Sequence, residues 1–310
     1  MSQSHDRREF IKRTALAGAA LAISGHAATG QAAPRAELVK ISGPGVKADP
    51  QKALIKLLEP LGGMKAFVKK GQTVMLKPNM GFATSPERRA TTDPRLVVAA
   101  AKEAIKAGAK KVMIVDHPMR NPEACRRLNG IEAACKGLNV HLLLPMDGKH
   151  YVEKKIARGK VLKKTKILKI ALEADVHIAM PLAKSHMAAG FSGGIKGHMG
   201  LVLDRESFHS RFEMNQAIAD LASLIKTDLS IMDALSIMAS GGPAGPGEII
   251  ERQTLLAGID PVAVDAAAVE LAPLYKRRVR ARQIKHLMAA QKLGVGKLKP
   301  SAGAFVELTL

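Results

Sequence analysis

Three apolar runs, two closed by a charged residue and the third followed by Pro181, constrain this chain most. They are Thr73-Val74-Met75-Leu76-Lys77, Lys111-Val112-Met113-Ile114-Val115-Asp116 and Asp175-Val176-His177-Ile178-Ala179-Met180. Runs of this length without polar alternation read as strands buried on both faces. Helical patterns lie between them. Pro94 to Ala107 follows Asp93, a good N-cap, starts with proline and stops before Gly108. Further helices are expected at Pro50 to Leu58, Asn215 to Ile225, Pro261 to Leu271 and Val279 to Leu293. Shorter strands are expected at Glu37 to Ser42, His141 to Leu144, Asp228 to Ala234, Leu255 to Gly258 and Ala304 to Leu308. Strands alternating with helices predict an α/β fold: a mostly parallel sheet with helices on both faces, in a single large domain.

The N-terminus has a different logic. Asp6-Arg7-Arg8-Glu9-Phe10-Ile11-Lys12 precedes a mild apolar run of small residues, Ala15 to Ala28. This order reads as a twin-arginine export signal, and we set residues 1–33 apart from a domain spanning 34–310. The run falls short of the ~20 apolar residues that span a bilayer. The expected setting is the periplasm, reached through the twin-arginine (Tat) translocase. The protein is expected to be soluble unless the signal stays attached.

Charge narrows the partners. The chain carries 48 Lys and Arg against 27 acids, a net +21. Lys149 to Lys169 holds nine basic residues and one acid, and Lys276 to Lys285 holds six and none. Export removes nucleic acid as a partner, and the absence of Trp with only two Tyr removes platforms for base stacking. An anionic membrane surface, an acidic cell-wall polymer or an acidic protein would suit these runs, as would plain solvation. Two cysteines, Cys125 and Cys135, cannot build an iron–sulfur cluster, which needs about four thiolates. A disulfide between them is open on the sequence.

Ligands of such sheets bind beyond the C-terminal strand ends. That rule gathers Lys77-Pro78-Asn79, Asp116-His117, Pro181 to His186 and Asp233 around one cleft. The segment from Lys184 to Arg211 adds His186, Gly193, Gly194, Lys196, His198, Arg205 and His209. Glycines beside cations suit a small anion, with Lys77, Asn79, Lys196, Gly193, Gly194 and Arg205 as its ligands. A divalent metal held by His186, His209 and Asp116 is the alternative. If chemistry occurs, His186, His209 and Lys184 are its expected carriers. Asp265 falls in the first turns of a helix, where it complements the dipole. Acyl-hydrolase, NTPase and dinucleotide motifs are missing.

Taken together, VMLKPNM (74–80), ADVHIAMPLAKSH (174–186), FSGGIKGHMG (191–200), DLSIMDAL (228–235), the Gly-Gly-Pro-x-Gly-Pro-Gly loop and LLAGIDPVAVDA (255–266) resemble the domain-of-unknown-function family 362. The resemblance runs over roughly residues 37–295. It implies no single activity. Some members carry an added iron–sulfur domain, whose cysteines are missing from this sequence, so an iron–sulfur function is not expected to carry over. The family pattern places Asn after the Lys of the FSGxIK segment. Gly197 stands there in this chain, and His198 is expected to take over that role. The function expected is an exported enzyme or maturation factor that binds a metal ion or a small anion. The alternative is a non-catalytic protein docking through its basic faces.

Overall fold

Prolines and acidic caps set the helix starts in this chain, and glycines set several of the ends. The computed structural model describes residues 36–119 and 121–310. The segment expected to be an export signal, residues 1–33, lies outside the described residues.

Strand β1 (Leu38–Ser42) leads to helix α1 (Pro50–Leu58), whose N-cap Asp49 accepts the Lys52 N–H. Strand β2 (Thr73–Pro78) and helix α2 (Pro94–Lys106) follow, the helix capped by Asp93. Gly108, at φ 105°, turns the chain out of α2. Then come β3 (Lys111–Val115), α3 (Pro122–Asn129) and β4 (His141–Leu143). A hairpin of β5 (Tyr151–Lys155) and β6 (Lys164–Leu168) forms a separate two-stranded sheet. Strands β7 (Val176–Met180), β8 (Leu182–His186) and β9 (Gly190–Ser192) precede the short helices α4 (Gly194–Gly197) and α5 (Ser207–Ser210). The chain ends through α6 (Met214–Ala222), β10 (Leu229–Met238), β11 (Ile249–Gly258), α7 (Pro261–Val269), α8 (Lys285–Lys292) and β12 (Phe305–Thr309).

The main sheet runs β12-β1-β11-β10-β7-β2-β3-β4. Its pairs are parallel except those of β11, which is antiparallel to β1 and β10, and the β8–β9 hairpin. The expected mostly parallel α/β sheet is therefore present. Side chains alternate between two cores, as a period of two requires. Val74 and Leu76 of β2 join α1 and α2 on one face, while Met75 joins the other, beside α6, α7 and α8. Residues 35–310 form one compact unit. No helix among the described residues is long and apolar enough to cross a membrane.

Strand β10 is longer than its sequence pattern indicates. Its first residues pair with β7, and Asp233 pairs with Leu182 of β8. Pro181 marks the step between the two partners, and the Asp233 N–H donates to its carbonyl at 2.8 Å. The β8–β9 hairpin thus extends the sheet past the ends of β2 and β7 and raises a wall there.

One expectation is corrected, and two features left open by the sequence are settled. The basic helix expected from Val279 shrinks to a 3-10 turn at Ala281–Gln283 and α8. Tyr275 and Lys276 sit just before that stretch at positive φ, and the crowded cations after them are exposed. The other basic run is the β5–β6 hairpin, whose alternation is hidden by its lysines. Cys125 and Cys135 form no disulfide; both thiols are buried, and burial pushes Cys135 up to about 11.

Candidate functional site

A cavity of about 590 Å³ opens beyond the C-terminal ends of β2 and β3, against the β8–β9 wall. Lys77, Asn79, Asp116, His117, His186, Lys196, Arg205 and His209 all line it. Most of the residues expected around one cleft thus do meet there. The tertiary structure divides them by what already satisfies them.

Lys77 is paired. Its ammonium lies 2.8 Å from Asp116 Oδ1 and 2.8 Å from the Pro78 carbonyl. Asp116 accepts two further hydrogen bonds: the Met80 N–H at 2.9 Å on Oδ2 and the His117 N–H at 3.0 Å on Oδ1, beside the lysine. Arg205 donates to the carbonyls of His117 at 3.0 Å and Pro118 at 2.8 Å, pinning the loop after β3. Lys184, fully buried, donates to Ala90 O at 2.6 Å and Pro243 O at 2.9 Å and lies 4.3 Å from the Phe82 ring centre. Burial holds its ammonium well below the ordinary lysine range. Lys184 does not line the cavity, which corrects its expected catalytic place.

Lys196 differs. Its ammonium has no hydrogen-bond or ion-pair partner among the described residues, yet it lines the cavity. Burial, with Arg205 and Lys77 nearby, lowers it to about 8, against an opposing pull from Asp116. The Asn79 side-chain amide and the Ser192 hydroxyl also line the cavity without a described partner.

His186 accepts the Ala189 N–H on Nδ1 at 3.2 Å, so its neutral ring carries the proton on Nε2. Burial first, then Lys196 and His209, lower it to about 3. His209 stacks nearly parallel to it, with ring centres 6.2 Å apart, and is lowered by burial, Lys196 and Arg205. His117 is lowered to about 4 by burial and Arg205, and its Nδ1 lies 2.9 Å from the Tyr151 hydroxyl.

The proposed metal set does not assemble. His186 and His209 are together, but Asp116 is committed to Lys77 and two backbone N–H groups. No group of three metal-ligating side chains occurs among the described residues.

Gly193 and Gly194 are also placed differently. The N–H groups of Gly194 and Ile195 donate to the buried Asp265 carboxylate, at 2.7 and 2.9 Å. A Cβ on Gly193 would fall 2.4 Å from Asp265 Oδ1. The glycines admit a carboxylate from α7, not an outside anion, and Asp265 acts on α4 instead of its own helix dipole. Asp233 is likewise internal: it pairs with Arg89 at 2.5 Å and accepts the Asp93 N–H at 2.8 Å. His198 turns away from the cavity toward His177 and Thr227, so it does not fill the place left by Gly197.

Sequence reading missed the apolar lining: Phe82, Met119, Met146, Met187 and Leu203. Single methionines in loops carry no period that would have marked them.

Residues 74–270 match the family described as "Domain of unknown function (DUF362)". A relative, the thylakoid-associated protein sll1697 of Synechocystis sp., is 28% identical over 229 residues, which is 72% of this chain and 70% of that one. Among solved structures, the lactate racemase apoprotein of Thermoanaerobacterium thermosaccharolyticum aligns with a TM-score of 0.43 and 16% identity. The alignment covers 71% of this chain and 54% of that protein, so this chain spans about half its length.

Proposed function

We propose that this chain, which belongs to the DUF362 family, binds a small anionic ligand in the cleft beyond β2 and β3, with Lys196 as its counter-charge. One observation carries this reading. Lys77, Arg205 and Lys184 are each matched by a carboxylate or by carbonyls, while Lys196 lines the cavity with no partner. An ammonium that is largely enclosed and unpaired is costly, and an anion removes that cost. Asn79, Ser192 and the Nε2–H of His186 add neutral donors. His186 and His209 are both held neutral at pH 7, so His186 offers its Nε2–H as a donor while His209 is the ring placed to accept a proton.

The test is calorimetric titration of the full chain with acetate and with inorganic phosphate, beside Lys196→Met. Binding that is lost in the variant, with thermal unfolding unchanged, supports the reading. Binding of equal strength in both proteins overturns it.

A second reading concerns location. We propose export through Arg7-Arg8 and the twin-arginine route, tested by fractionating cells that carry Lys at both positions. Retention of the variant in the cytoplasm is expected, and unchanged export would refute it. The β5–β6 hairpin exposes Lys154, Lys155, Lys164 and Lys166, answered there by Glu153 alone. Together with the relative's name, this supports contact with an anionic membrane surface. Vesicles containing anionic lipid should bind the protein at low salt and release it as ionic strength passes ~0.15 M. Binding that ignores salt and reversal of these lysines would remove the idea.

A further inference from the structure

The mouth of the cleft is unusual for a site that holds only a small ion. Met119 and Met146 are each 50% exposed and Met187 is 80% exposed, and all three line the same cavity as Lys196. They are among the few large apolar side chains that the described surface leaves open. Phe82 and Leu203 continue the apolar lining inward. A bare anion touches none of this surface. The cavity volume of about 590 Å³ lies within the ~300–1,000 Å³ that sizeable organic ligands occupy.

Resting on the anion-binding reading above, we propose that the ligand is an amphipathic carboxylate: one negative charge at Lys196 and a hydrophobic body against Phe82, Met119, Met146 and Met187. Charge selects carboxylate over phosphate monoester. One unpaired ammonium balances one negative charge, because Lys77 is already neutralised by Asp116, and Asp204 and Glu206 lie on the same lining. Donor chemistry agrees: Lys196, the Asn79 amide and the Ser192 hydroxyl share one lining, and all can donate to a carboxylate. Methionine suits the other end. Its unbranched, polarizable side chain adapts to varied apolar shapes, so the rim tolerates different chains or rings. Gly197 contributes by omission. A Cβ there would meet nothing within 4 Å, so the space beside Lys196 is open to the ligand.

The experiment compares acetate, hexanoate, decanoate, decanol and decyl phosphate by titration into the full chain, below their aggregation limits. Affinity should rise by up to about fourfold for each methylene that becomes buried, so decanoate should exceed acetate at least 100-fold. Decanol, with the same chain and no charge, should bind at least tenfold more weakly than decanoate. Lys196→Met should weaken decanoate to the level of decanol. A triple variant, Met119→Ser, Met146→Ser and Met187→Ser, should weaken decanoate at least tenfold and leave acetate unchanged. Equal affinity for acetate and decanoate overturns the amphipathic ligand while the anion site stands. Decyl phosphate binding above decanoate overturns the choice of carboxylate. Decanoate binding that Lys196→Met leaves intact overturns the anion reading itself.

Discussion

The ammonium of Lys77 lies 2.8 Å from Oδ1 of Asp116, and both side chains are almost wholly buried. Gly200 makes the pair possible, because a Cβ there would sit 1.9 Å from the same oxygen. Removing one charge of a buried pair leaves the other unmatched. Lys77→Met should therefore cost about 3–5 kcal/mol, read by chemical denaturation. Gly200→Ala should also destabilise, by forcing the carboxylate off the lysine. A Lys77→Met protein within 1 kcal/mol of the parent, roughly the scale of a surface change, would refute this.

Asp265 gives a pH signature. Burial outweighs the Ile195 and Gly194 N–H groups and raises its carboxyl to about 7. The unfolded carboxyl titrates near ~3.9. Between those values the native state keeps a proton that the unfolded state has lost, so this group's contribution to stability falls as pH rises from about 4 to about 7. Asp265→Asn should flatten that slope in denaturation curves taken at pH 5 and pH 8. An unchanged slope would show that another group sets it.

Lys196 gives a second one, read in binding instead of stability. At about 8, its ammonium is partly neutral near that pH, and a bound anion favours the charged form. Arg205, Lys77, Asp116, His186, His209 and His286 surround it electrostatically. Acetate affinity should decline as pH rises through about 8, with a fraction of a proton taken up on binding. Calorimetry in buffers of different ionisation heats measures that uptake. An affinity constant from pH 7 to 9.5 would exclude Lys196 as the counter-charge.

Lys184 separates structure from binding. It ties the Ala90 carbonyl to the Pro243 carbonyl, joining the loop after β2 to the loop after β10. Lys184→Ala should cost about 1–3 kcal/mol through the two carbonyls left unpaired. Anion affinity, measured on the folded fraction, should change by less than Lys196→Met changes it. The reverse order of effects would return Lys184 to the site.

The strands, their polar termini and the proline-started helices were legible in the sequence because those signals are local. A buried strand shows as an apolar run, and Asp49, Asp93 and Asp260 cap helices within a few residues of themselves. Locality also explains why Lys77, Asn79, Asp116, His186, Lys196, Arg205 and His209 could be grouped: a parallel sheet brings its strand ends to one edge. The β5–β6 hairpin stayed hidden because its exposed lysines mask the alternation. What each charge does was decided only by the tertiary structure. Lys77, Lys184 and Lys196 read alike as residues. One meets Asp116, one meets two carbonyls, and one meets the open cavity. Those partners come from segments 39, 94 and 59 residues away or from none at all. A charge's role depends on its desolvation and its neighbours in space, and neither is written in the order of the residues around it.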